Sequence, residues 1–262
     1  FNWDIYFWRG GHGVMDPRSQ SLQRDRCMKK HLSLFLAFCK VSLIAEMEFR
    51  FNMVLKIVAD MIWYVAQISI FEVLFLHSTH YADWDLPSVR VFLGVLFFTD
   101  VFYMLFFSEN LSRVSTMVRN GELDLLLAKP VNALFMISFR KIDIGYLLNM
   151  VVVAAYLFWA IGKLPITLTA WNILWFCLMA PASLVVSYSV RVFFASLSVI
   201  FVNAEGVSYL WYSLYRLGTR PDSIYPTALR YVIMTFLQVA FLASVPSRFL
   251  LGKQETWMYF EV

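Results

Sequence analysis

Apolar and polar positions alternate along this chain in blocks rather than in a single amphipathic rhythm. Residues 1–27 mix polar and aromatic side chains around Gly10, Gly11 and Gly13 and carry no helical stripe. They lack the continuous apolar core of a cleavable signal peptide. Met28, followed by Lys29 and Lys30, has the look of a translation start, so 1–28 reads as a poorly ordered N-terminal extension. From Lys29 to Phe51 the pattern is amphipathic: Leu32, Leu34, Phe35, Phe38, Leu43 and Phe49 are interleaved with Lys40, Glu46, Glu48 and Arg50. That many charges do not suit a crossing helix and predict a helix lying in the membrane interface.

Six apolar blocks follow. They predict spans over Leu55–Leu76, Val89–Phe107, Ile144–Ile161, Trp171–Tyr188, Val192–Tyr215 and Tyr231–Pro246, the last short unless it reaches Leu251. A helix needs about 20 residues to cross the hydrocarbon. The runs have that length and lack a two-residue alternation, so they predict helices, which satisfy their own backbone hydrogen bonds in lipid. The expected fold is an all-α, polytopic membrane bundle of about six helices behind an interfacial helix. Composition agrees: 60% of residues are hydrophobic and 15% charged, against about 25% charged in soluble domains. Cys27, Cys39 and Cys177 are scattered and odd in number, which argues against a disulfide framework or a zinc site.

Lys and Arg set the orientation. With the N-terminus cytoplasmic, the inner segments hold Arg113, Arg119, Lys129, Arg140, Lys141, Arg191, Arg248 and Lys253. The outer segments hold Arg90, Lys163, Arg216, Arg220 and Arg230. The bias favours both termini in the cytoplasm, with the three arginines of 216–230 as its weak point.

No Gly-x-x-x-x-Gly-Lys-Ser/Thr loop is present, so the chain has no such route to ATP hydrolysis. Nothing else resembles a catalytic site, and no cofactor motif appears. His77, His80, Asp83 and Asp85 could tempt a metal reading, but on a loop without a fixed face they read as ordinary polar residues. Asp100 and Glu205 fall inside apolar blocks, where charge is costly. They are candidates for a polar lining or for carboxyls bonded to a neighbouring helix. Trp159, Trp171, Trp175, Trp211 and Tyr212 read as interface anchors rather than ligand contacts.

The stretch between the second and third spans, about 35 residues, is too long for a simple link. It runs through Asn120-Gly121-Glu122-Leu123-Asp124-Leu125-Leu126-Leu127-Ala128-Lys129-Pro130-Val131. Asn120-Gly121 breaks one helix and Pro130 stops another, leaving an apolar block beside exposed charges: a docking surface in outline.

Gly121-Glu122-Leu123-Asp124, followed by Leu126-Leu127-Ala128-Lys129-Pro130-Val131, resembles a segment of bacterial ABC-2 type permeases, with Lys129 where Arg is usual. Arg220-Pro221-Asp222-Ser223-Ile224-Tyr225-Pro226 with Leu229-Arg230 is similar to a second family segment, although Arg220 replaces the usual aromatic. Ser244-Val245-Pro246 with Leu250-Leu251-Gly252 resembles the ending that follows. The resemblance covers roughly 30–253, so that 29–262 would be the permease domain. It implies a non-catalytic membrane subunit in the bacterial plasma membrane, paired with a second copy or a paralogous permease and served by a separate ABC ATPase. Gly121, Glu122, Leu123, Asp124, Leu126, Leu127, Lys129 and Pro130 would then form the ATPase-coupling segment. Export would be the default direction, with the substrate open. An ion-gradient carrier using Asp100 or Glu205, or a membrane scaffold, are the alternatives; no nucleic-acid partner is expected.

Overall fold

The computed structural model describes residues 17–48, 50–77, 83–129, 131–164, 169–200, 204–236 and 238–253. Its elements are helical. Helix α1 spans Pro17–Glu48. It starts upstream of the boundary near residue 28 that the sequence suggests. Next come α2 (Arg50–His77) and α3 (Leu86–Tyr103), which runs on through a π-helical turn (Met104–Ser108) into α4 (Glu109–Ser112). Three short helices follow: α5 (Val114–Arg119), α6 (Glu122–Leu127) and α7 (Ala133–Phe139). Then come α8 (Tyr146–Gly162), α9 (Ala170–Ile200) and α10 (Ala204–Gly218). The remainder is broken helix: a 3₁₀ turn (Asp222–Ile224), α11 (Thr227–Tyr231), a π turn (Val232–Phe236), another 3₁₀ turn (Val239–Leu242) and α12 (Ser244–Leu251).

Among the described residues, three helices are long and apolar enough to cross a membrane: Arg50–His77, Leu86–Arg119 and Ala170–Leu197; Tyr146–Gly162 is apolar but shorter. The core is built around α3. Val91, Phe92, Leu96 and Phe97 are sealed from solvent by Tyr64 and Phe71 of α2, Val153, Leu157 and Ala160 of α8, and Leu250 and Leu251 of α12. Gly94 permits the closest approach. A Cβ there would stand 2.8 Å from Leu157 Cδ1 and 3.2 Å from its Cα.

The polar contacts divide the bundle into two ends. At the loop end, Arg90 pairs with Glu72, Arg248 with Asp83, and Lys253 with Asp85. At the opposite, platform end, Lys56 pairs with Asp143 and Lys141 with Glu109.

Two sequence expectations are corrected. The break expected between Tyr188 and Val192 is absent, because α9 runs unbroken to Ile200 and Arg191 lies inside it, buried among aromatic rings. The straight sixth span expected over Tyr231–Pro246 is absent as well. The chain breaks at Gln238, whose φ of 50° lies in the left-handed region. The segment then returns to its starting end: Asp222 N–H donates to Ser244 Oγ and Arg248 Nε donates to Asp222 Oδ1. Lys253 therefore sits beside Asp83 and Asp85, not opposite them as the charge count suggests. Gly252, at φ 65°, closes α12 with Lys253 N–H bonded back to the Arg248 carbonyl.

Candidate functional site

At the platform end, the segment singled out in the sequence forms a distinct short helix. Gly121 takes φ 71° with nothing near where a Cβ would stand, so its glycine serves the backbone turn alone. Glu122 and Asp124 then occupy the first turn of α6, where the helix dipole favours negative charge. Leu126 turns inward and is buried with Met117 and Met136, with Leu123, Leu34, Phe38 and Val131 packed around them. Glu122, Asp124, Leu125, Leu127 and Lys129 face outward, and Leu125 is 70% exposed. Pro130 lies outside the described residues. Of the expected coupling residues, Leu123 and Leu126 thus anchor the helix from below, while the others with described side chains form its outer surface.

The platform is fastened to the long helices by buried polar groups. Asn110 is the central clamp. Its Nδ2 donates to the carbonyls of Phe106, Ser138 and Lys141, and its Oδ1 accepts from Lys141 N–H. On α1, Ser42 and Glu46 lie one turn apart on one face. Ser42 Oγ accepts from Ile142 N–H and Glu46 Oε2 from Gly145 N–H. Ser138 bonds to Tyr188 of α9, and Phe107 packs between Phe139 and Tyr188. Asn132 caps α7 by accepting from Phe135 N–H. Burial, with the Asp143 carboxylate beside it, pushes Glu46 up to about 7.

Nearer the middle of the bundle, a cavity of about 470 Å³ opens between α2, α3 and α10. Asp60 and Asp100 border it together with Trp63, Gln67, Arg216 and Arg220. Asp100 is buried and its Oδ1 accepts from Tyr215 Oη at 2.7 Å; Asp60 Oδ2 accepts from Asn149 Nδ2 at 2.8 Å. Of the two candidate acids, Asp100 therefore faces a cavity and also bonds a neighbouring helix. Glu205 falls in α10, but its side chain lies outside the described residues.

A family model described as "ABC-2 family transporter protein" matches residues 61–262. The chain belongs to the ABC-2 transporter family. No curated protein and no solved structure matches it. It is a multi-pass membrane protein of the permease type, the membrane subunit of a transporter family whose ATPase is a separate chain.

Within this ABC-2 permease the metal reading of the 77–85 loop finds a simpler account. Asp83 accepts from Arg248 and Asp85 from Lys253 and Ser88. Burial would raise both carboxyls, but these partners outweigh it and hold both below the usual carboxylate range. His77 Nδ1 lies against the Val73 carbonyl, and His80 lies outside the described residues. No cluster of three metal-ligand side chains occurs among the described residues.

Sequence reasoning passed over three groups. Asp60 reads as a charge near a span start, Asn110 as part of the loop between the second and third spans, and Arg191 as an inner-segment charge between the fourth and fifth. The available signal was apolar context: Arg191 is flanked on both sides by runs of Val, Ser, Phe and Tyr without another charge.

Proposed function

We propose that this chain is one permease of an ABC-2 transporter in a bacterial plasma membrane, driven by a separate ATPase that docks on the platform end. The observation that carries the reading is α6. A short helix with outward carboxylates and leucines stands on a platform clamped by Asn110 to α3 and by Ser138 to α9. A push on such a helix reaches the long helices without being lost in a flexible loop. Glu122 and Asp124 supply charge complementarity, Leu125 and Leu127 supply contact area, and Lys129 with Pro130 orients the helix end. ATP binding in the partner would bias the two states of the pore through this contact.

The crossing helices in this reading are α2, α3, α8, α9 and α10. Residues 222–251 enter and leave from the loop end, in place of a sixth crossing. The platform end, with Arg113, Arg119, Arg140 and Lys141, is then cytoplasmic by the positive-inside rule. A second copy or a paralogous permease completes the pathway, and the Asp60–Asp100 cavity is this chain's share of its wall. Export is the direction suggested by family analogy.

Charge reversal at both acids, Glu122→Lys with Asp124→Lys, tests the docking role. Co-purification of the ATPase should fall at least about tenfold, as expected when several charged contacts are reversed. Unchanged recovery with unchanged stimulated ATPase activity contradicts it.

A further inference from the structure

Arg191 lies within α9 with only 7% of its surface exposed. Its guanidinium carbon stands 3.3 Å from the ring centre of Tyr103, 4.8 Å from Trp211 and 5.2 Å from Tyr215. Ring faces attract the charge but offer Nε no acceptor. Nε is buried and meets no hydrogen-bond partner among the described residues. Asp100 is near enough for its charge to act on Arg191, but its Oδ1 is already taken by Tyr215.

The guanidinium borders a second cavity, of about 70 Å³, distinct from the one at Asp60 and Asp100. Ser108, Ser112, Ser115 and Tyr212 line it together with Trp211. Five hydroxyl-bearing side chains, Tyr103 among them, and a cation thus line a space far smaller than the roughly 300–1,000 Å³ of a drug-sized site. Ser112 is exposed, so the mouth faces the platform end of the membrane. Ser112 Oγ donates to the Glu109 carbonyl, but the hydroxyls of Ser108 and Ser115 beside the forked N–H groups of an arginine match the oxygens of a phosphate.

We propose that the Arg191 cavity binds a phosphate-type oxyanion, either free or as the headgroup of a phospholipid entering from the platform end. Its walls come from the π turn after α3 and from α4, α5, α9 and α10, so occupancy would brace the platform against α9 and α10.

The test uses the full chain purified in a phosphate-free maltoside detergent, with thermal unfolding followed at constant ionic strength. The probes are inorganic phosphate, dioctanoyl phosphatidylglycerol and, as the phosphate-free control, dioctanoylglycerol. One or both phosphate-bearing probes should raise Tm in a saturable way, and the control should not. A shift with phosphatidylglycerol alone assigns the site to lipid; a shift with inorganic phosphate assigns it to a free anion. Arg191→Gln should raise the half-saturating concentration at least about tenfold, the loss expected for one charge-assisted contact. The double variant Ser108→Ala, Ser115→Ala leaves the aromatic box whole and should weaken the shift several-fold, which keeps the test decisive if Arg191→Gln fails to fold. An absent shift, an equal shift with dioctanoylglycerol, or a full shift in the variants overturns the proposal.

Discussion

Helix α2 and the Leu86–Arg119 stretch that opens with α3 are both long and apolar enough to cross a membrane. Yet 11% of the most apolar window is buried in α2 and 67% in the stretch that opens with α3. Hydropathy reports transfer out of water, and a lipid tail and a leucine on a neighbouring helix are equally apolar destinations. What separates the two helices is fit. On α3, Gly94 lets the Leu157 backbone come close, and Phe92 and Phe97 fill the space left. On α2, Val58, Ile62 and Val65 project outward with no such partner.

Truncation should separate the two helices most sharply. Phe92→Ala opens a void at the centre of the bundle and should cost about 3–5 kcal/mol, whereas Ile62→Ala should change stability by no more than about 0.5 kcal/mol. Reversible unfolding in mixed micelles measures both, and equal losses would contradict the assignment of faces. Overpacking gives a smaller contrast. Gly94→Val pushes against the Leu157 backbone and should cost about 1–3 kcal/mol, while Gly162→Ala, with open space at its Cβ, should be neutral. The smallest effect is expected where α1 meets the 142–145 elbow. Glu46 titrates near 7 in the folded chain against an ordinary 4.5. Folding therefore favours its protonated form: its contribution is full below pH 4.5 and lost as pH rises through 7. Glu46→Gln, which keeps an acceptor for Gly145 N–H, should flatten the fall in Tm across that window. An unchanged profile would mean that Glu46 is not the titrating group.

The same distinction explains what was legible in the sequence. The α6 segment was readable because its signals are local: Gly121 for a left-handed turn, acids in a first turn and alternating inward and outward leucines. Asp100 stood out as one acid in an apolar run. Arg191 did not, since a charge between two apolar blocks looks like a loop until three aromatic rings from α3 and α10 close around it. The return of residues 222–251 rests on Asp222 meeting Arg248, and that of Lys253 on Asp85. Such pairings depend on packing between distant segments and leave no periodic trace. A window of hydrophobic residues over 231–246 therefore read as one more crossing.

The most direct test of the permease account is recovery of this protein from its native membrane in mild detergent, with mass spectrometry of the proteins that accompany it. The account predicts an ATPase bearing a phosphate-binding loop, together with a second permease if the pore is built from paralogues. Repeated recovery of this chain without any ATPase, across detergents that leave it folded, would contradict it.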